Sequence, residues 1–278
     1  MTTQRKEIQN EQFYTQHETA KTLCDLVKQE SWFPKITTII EPSAGDGVWL
    51  NYINVTNAYD IEPKDPRVQE VDFLSVNLGR IPNSLAIGNP PFGRMGSLTL
   101  QFLEKCAETV DYIAFIMNAS MGKITMQRRV PRNFHLIKQV DLLNETFRAE
   151  GNGQVVKTVF QIWERRESPR QDPKKNKFHK DFKFITVKSP SSGPATPAPT
   201  NADLAIQTHG SGYGKVYSSN FLSKNSRTHR FIISNIATSI LEQRLKSLDF
   251  ESKAKYTVGA TCISEEEIVL LYTEKFGE

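Results

Sequence analysis

The sequence predicts an α/β chain: a mostly parallel sheet with helices on both faces, finished at one edge by an antiparallel hairpin and followed by a small α+β unit. Three observations predict it. From about residue 36 to 163, short apolar runs alternate with longer stretches of helical periodicity, the pattern of strands joined by crossover helices. The runs at 135–143 and 154–164 are separated by "NETFRAEGNG", too short for a crossover helix, which implies a hairpin. Residues 189–203, "SPSSGPATPAPTNAD", are rich in Pro, Ser and Ala and read as a linker or long loop between two units.

In chain order, "ITTII", "VTNAYD", the run before "EVDFL", "SLAIG" and "YIAFIM" read as buried strands. "GSLTLQFLEKCAETV" carries apolar residues at 98, 102, 103 and 106, one face of a helix. Past the linker, "DLAIQTHGSGYGKVYSSN" and "RTHRFIISN" read as strands around a Gly-rich turn, followed by the helical "IATSILEQRLKSLDF". A last helix starts near Ser264, where "SEEEIVLLY" offers a cap and an acidic first turn. The expected division is 1–164 for the first unit, 165–202 for a basic segment and linker, and 203–278 for the second unit.

Hydrophobic residues make up 38% of the 278, enough for a core. No apolar run approaches the roughly 20 residues of a membrane helix. The start, "MTTQRKEIQNEQFYTQ", lacks the apolar stretch of a secretory signal, so an intracellular protein is expected. Cys24, Cys106 and Cys262 lie far apart and the five histidines show no ligand spacing, so neither a disulfide framework nor a metal is expected. The net charge of +4 is unevenly spread. Residues 165–188 hold nine Lys or Arg against three acidic residues, a local charge of +6. Interleaved with Phe178, Phe182 and Phe184, this stretch reads either as a contact for a nucleic-acid backbone or as a solvated linker.

"AIGNPPFGRMG", residues 86–96, follows an apolar strand with an amide, two prolines and an aromatic ring. Two prolines remove two donors and fix φ, so Asn89-Pro90-Pro91-Phe92 is a stiff turn that holds its acceptors in one geometry. "TIIEPSAGDGVWL", residues 38–50, reads as a strand, a glycine turn and a helix start, the layout of a ligand site over a parallel sheet. It lacks the third glycine of a dinucleotide fingerprint. Asp60 ends the second strand 19 residues after Glu41, near the interval at which an acidic residue meets ribose hydroxyls. Ile61 and then Asp72 with Phe73 follow the second and third strands.

In order, "EPSAGDG", "YDIEP", "VDFL" and "NPPF" resemble the motifs of class I S-adenosylmethionine-dependent methyltransferases that modify exocyclic amines. "QFYTQHETAKTLCDLV", residues 12–27, is similar to the N-terminal cofactor motif of the adenine-N6 DNA methyltransferases, with Gln16 where proline is usual. The resemblance covers roughly residues 12–163 and implies a Rossmann-like fold with a seven-stranded sheet. It further implies Tyr14 and Thr15 near the methionyl part of S-adenosylmethionine, with Glu41, Ala44 and Gly45 around it. Asp60 would meet the ribose, Ile61 the adenine face, and Asp72 with Phe73 the adenine edge. Asn89 and the Pro90 carbonyl would accept the two N–H groups of the target amine, Pro91 would stiffen the turn, and Phe92 would stack on a base flipped out of the duplex. Phe147 resembles the position of a second stacking ring, or is an ordinary core residue.

The partner so implied is duplex DNA, with Lys174, Lys175 and Lys177 of the basic stretch on its backbone and residues 203–278 as a small recognition unit. So short a unit fits a short target sequence, loose specificity, or help from a partner subunit or homodimer. The same chemistry also serves adenine in structured RNA, or a glutamine amide in a protein. A further alternative is a binding-only fold without catalysis.

Overall fold

The computed structural model describes residues 13–143, 146–149, 154–172, 175–187 and 194–278. The chain divides into two compact units, Met1–Asp172 and Pro173–Glu278.

The first unit opens with β1 (Phe13–Tyr14) and α1 (His17–Lys28). Ala20, Leu23, Cys24 and Val27 recur at the i, i+3, i+4, i+7 spacing of one helix face, and all four are buried. Then come β2 (Thr38–Glu41), β3 (Asn57–Asp60), β4 (Gln69–Glu70), β5 (Ser84–Gly88) and α2 (Ser97–Thr109). The unit continues with β6 (Tyr112–Asn118), the one-turn α3 (Ile124–Gln127), β7 (Phe134–Leu142), β8 (Thr146–Ala149), β9 (Gln154–Val155) and β10 (Thr158–Arg165).

Seven of these strands form one sheet in the order β4-β3-β2-β5-β6-β10-β7. From β4 to β6 all pairs are parallel, and β10 runs antiparallel to both of its neighbours. The architecture is Rossmann-like with a hairpin edge. Strand pleating turns Ile39, Leu85, Ile87, Ala114, Ile116, Phe160 and Ile162 toward one cluster with the buried face of α1. The alternate positions, among them Ile40, Ala86, Ile113, Phe115 and Met117, are equally buried, so both faces of the sheet are covered. Each such large side chain contributes about 1.5–3 kcal/mol. Backbone pairing in a separate three-stranded ladder sets Tyr14 opposite Arg148 and Phe147 opposite Gln154.

The helix expected after the glycine turn is absent: a 3-10 turn at Trp49–Asn51 leads directly toward β3. Val48 to Val55 are β-branched, aromatic or Asn apart from Leu50, which disfavours helix, and Trp49 and Ile53 are drawn into the core. Cys24 and Cys106 are buried free thiols; burial pushes Cys24 up to about 12, which keeps it inert.

The second unit contains β11 (Phe178–His179), β12 (Phe182–Phe184), β13 (Leu204–Gln207), β14 (Val216–Tyr217) and β15 (His229–Ser234). They form an antiparallel sheet in the order β11-β12-β15-β13-β14. Helices α4 (Thr238–Lys246), α5 (Glu251–Ala254) and α6 (Glu265–Phe276) follow. Phe182, Leu204, Ile206 and Ile232 share a core with Leu241, Leu245, Ile268 and Tyr272. Ser264 and Glu267 form a reciprocal capping box at the start of α6. The buried Asp181 carboxylate accepts from Tyr272 Oη and Arg244 Nη1, both at 2.7 Å, tying the β11–β12 turn to α4 and α6.

The stretch 165–188, expected as one basic segment, is divided between the two units. Arg165 donates to the carbonyls of Val110 and Ala107, and Arg170 to those of Phe134, Gln127 and Val130. Arg166 pairs with Glu164. The partners of all three cations lie within the first unit. Phe182 is core and Phe184 packs edge-on against it at 5.6 Å, because β12 alternates its side chains across a half-buried sheet. Phe178, in contrast, is exposed.

Candidate active site

The sheet order creates a switch point. From β2 the chain builds outward through β3 and β4, then returns to β5 on the opposite side of β2. Ligands of open α/β sheets bind where the strand order reverses, outside the carboxyl ends. Those ends here are Glu41 of β2 and Gly88 of β5, which is followed at once by Asn89-Pro90-Pro91-Phe92.

The glycine turn is fixed by bonds to the end of β3. Ala44 N–H donates to Tyr59 O at 2.9 Å, and Gly45 N–H donates to Asp60 Oδ2 at 2.7 Å. Asp60 Oδ1 accepts from Glu62 N–H at 2.9 Å. The Tyr14 ring lies against Gly45, where a Cβ would stand 3.2 Å from Tyr14 Cε1. Lys64 Nζ sits 4.5 Å from the same ring's centroid, and Lys64 N–H donates to Gly45 O. Gly47 has φ +70°, and a Cβ there would stand 2.8–2.9 Å from the Asp65 side chain, which Arg67 holds in an ion pair at 2.7 Å. Only glycine fits that turn.

Glu41 is completely buried, and neither carboxylate oxygen has a hydrogen-bond partner among the described residues. Burial raises its carboxyl well above the ordinary range, and Asp46 and Asp60 raise it further. A carboxylate desolvated without a partner is costly, and a cationic ligand would offset that cost. Among the described residues, no three His, Cys, Asp or Glu are placed to hold a metal ion.

The proline turn is pinned by the start of α2. Thr99 Oγ1 donates to Pro91 O at 3.2 Å, and Leu98 N–H donates to Phe92 O at 3.2 Å. The Pro90 carbonyl accepts from none of the described residues, and Asn89 Oδ1 is buried beside it in sequence. The turn therefore holds one carbonyl ready as an acceptor while the next two are engaged.

Other expected site residues are spread more widely. Thr15 is buried and Ile61 half-buried. Asp72 is exposed and caps the turn at Leu74 N–H at 3.0 Å. Phe73 is core, 5.7 Å from Tyr59 and 6.1 Å from Phe102 between ring centroids. Phe92 is 5% exposed and belongs to the cluster around α1, so in this conformation its ring anchors the turn and offers no open face. In the second unit Lys175 is exposed, and Lys177 Nζ lies 3.4 Å from Glu265, which Arg230 also meets at 3.1 Å. Lys174 and the side chain of Phe147 lie outside the described residues. Thr99, Lys64 and Asp65 were not anticipated; each acts through a contact between loops, which leaves no periodic signal.

No family model and no curated protein matches the chain. Solved structures are similar to parts of it. PH1948 of Pyrococcus horikoshii, a candidate RNA methyltransferase, aligns at 17% identity over 57% of this chain and 88% of its own, with a TM-score of 0.45. The 23S rRNA methyltransferase ErmE aligns at 14% over 58% of this chain and 73% of its own, TM-score 0.41. The Type IIL restriction-modification enzyme MmeI, in complex with DNA, aligns at 11% over 82% of this chain and 49% of its own, TM-score 0.35. Each is a distant likeness, and the fold assignment, a Rossmann-like mixed sheet with a hairpin edge, rests on the strand order of this chain.

Proposed function

We propose that the chain transfers a methyl group from S-adenosylmethionine to the N6 amine of adenine in DNA, with the target base flipped out of the duplex. The observation that carries the reading is the switch point itself, where a buried carboxylate with no partner among the described residues adjoins a stiff turn bearing two acceptors. S-adenosylmethionine, when bound, supplies a methyl made electrophilic by a positive sulfur. Its ammonium and sulfonium suit the carboxylates of Glu41 and Asp46, Asp60 would meet the ribose hydroxyls, and Tyr14, Thr15, Ala44, Gly45 and Ile61 would complete the cofactor half.

The amine is a poor nucleophile because its lone pair is delocalised into the ring. Asn89 Oδ1 and Pro90 O would each accept one of its N–H bonds, localise the lone pair and orient it. Neither acceptor ionises, so their contribution is orientation and electrostatics, terms that reach several kcal/mol in enzymes. Thr99 keeps the turn in place through Pro91 O. Lys175 and Lys177 are the described cations of the second unit that would meet phosphates.

The test is nucleoside mass spectrometry after incubating the protein and S-adenosylmethionine with unmethylated duplex DNA, single-stranded DNA or structured RNA. N6-methyladenine in DNA is expected, and Asn89→Ala should lose turnover roughly a hundredfold or more while still binding cofactor. Product in RNA alone would overturn the substrate. Absence of product in every arm, with cofactor bound, would overturn the reaction on nucleic acid.

A further inference from the structure

Among the described residues three non-glycines have a left-handed backbone: Asn83 (φ 51°), Met95 (φ 56°) and Asn220 (φ 56°). Two are asparagine, the side chain that tolerates this region best; methionine has no such tolerance. Met95 is also the most exposed large hydrophobic residue described, at 83%. A single exposed apolar side chain is ordinary. One held in a strained backbone by its surroundings is not.

The surroundings do hold it. Gly93 (φ +64°) and Gly96 (φ +76°) flank the apex, and Gly96 N–H donates to Gly93 O at 3.1 Å to close the turn. Gly93 is packed so tightly on Leu98 that a Cβ would stand 2.7 Å from its Cγ. Met95 therefore projects from a rigid turn between Phe92 and α2, three residues past the proline turn, with the exposed Arg94 beside it.

Resting on the methyltransferase reading above, we propose that Met95 is a wedge that enters the stack of a base-paired substrate and fills the space left by the flipped base. Apolar side chains, methionine among them, unstack base steps in this way, and a cation alongside suits the adjacent phosphate. The substrate class that follows is duplex nucleic acid, since a base already unpaired needs no wedge. Met95 is a positioning residue: it acts on the equilibrium of the base, leaving Asn89 and Pro90 to the amine.

The test compares wild type, Met95→Asn, which keeps the left-handed turn and removes the apolar chain, and Met95→Leu, which keeps an apolar chain. The substrate is an unmethylated duplex oligonucleotide carrying the target site, against the same duplex with an abasic position opposite the target. With the paired target, Met95→Asn should lower kcat/KM by at least about tenfold and Met95→Leu little, whereas with the unpaired target all three should agree. Without cofactor, 2-aminopurine at the target should brighten on binding wild type and stay quenched with Met95→Asn. Equal behaviour of Met95→Asn and wild type on the paired target, or equal losses on both targets, would overturn the wedge and leave the reaction intact. A wild type inactive on both duplexes and on every other nucleic acid would instead overturn the methyltransferase reading on which the wedge rests.

Discussion

The buried carboxylate of Glu41 lies against the backbone of Gly88, the residue before Asn89: a Cβ on Gly88 would stand 3.4 Å from Glu41 Cγ and 3.7 Å from Oε1. The end of β2 that would hold a cationic cofactor and the end of β5 that would hold the amine are thus in direct contact. Gly88 has φ +150°, a backbone that side-chain-bearing residues rarely adopt, so a substitution there would strain this strand end.

Glu41→Gln tests the buried charge. The unfolded carboxyl titrates near about 4.3, and the folded one is raised, so the folded state holds the extra proton between the two values. Stability of the cofactor-free protein should fall as pH rises across that window, and Glu41→Gln should abolish the fall. Its Tm at pH 8 should exceed wild type, at about 2–4 °C per kcal/mol. Affinity for S-adenosylmethionine should drop about ten- to a hundredfold by titration calorimetry. An unchanged pH slope with unchanged affinity would remove Glu41 from the cofactor site.

Thr99→Val removes the donor to Pro91 O at nearly constant volume. A partly buried carbonyl left without its partner costs about 1 kcal/mol, which denaturant unfolding would read. Turnover should fall with it while cofactor affinity holds, because the turn that aims Asn89 loosens. Full turnover in Thr99→Val would show that the prolines alone fix the turn.

In the second unit, burial pushes the Tyr272 hydroxyl up to about 12, so it remains a donor to Asp181 throughout the working range. Tyr272→Phe should destabilise by about 1–3 kcal/mol and leave cofactor affinity unchanged. A weakened affinity would tie this network to the first unit's site.

Charge reversal at Lys175 and Lys177 should reduce the slope of log K against log salt for DNA by about 0.9 for each phosphate no longer neutralised. Since Lys177 already faces Glu265, reversing Lys175 alone should account for most of the change if that ion pair persists on DNA. A slope indifferent to both would return the stretch to a structural role.

By itself the sequence determined the strand runs, the hairpin edge, the Ser264 cap and the proline turn, because each depends on neighbours a few residues apart: alternation, loop length, a side chain reaching its own backbone, two fixed φ angles. Its motif residues Glu41, Gly45, Asp60 and Asn89 were legible for the same reason, each sitting at the end of an apolar run. Tertiary structure alone decided which residues meet. It brought Tyr14 onto Gly45 and Asp65 onto Gly47, left the Glu41 carboxylate without a hydrogen-bond partner among the described residues, drew Phe73, Phe92 and Phe182 into cores, and turned Arg165 and Arg170 inward onto backbone carbonyls of distant segments. An aromatic ring or a guanidinium reads alike in sequence whether it serves a ligand or the core. The partner atoms that distinguish the two come from loops and strands distant in the chain, whose approach is fixed by packing and not by any local preference.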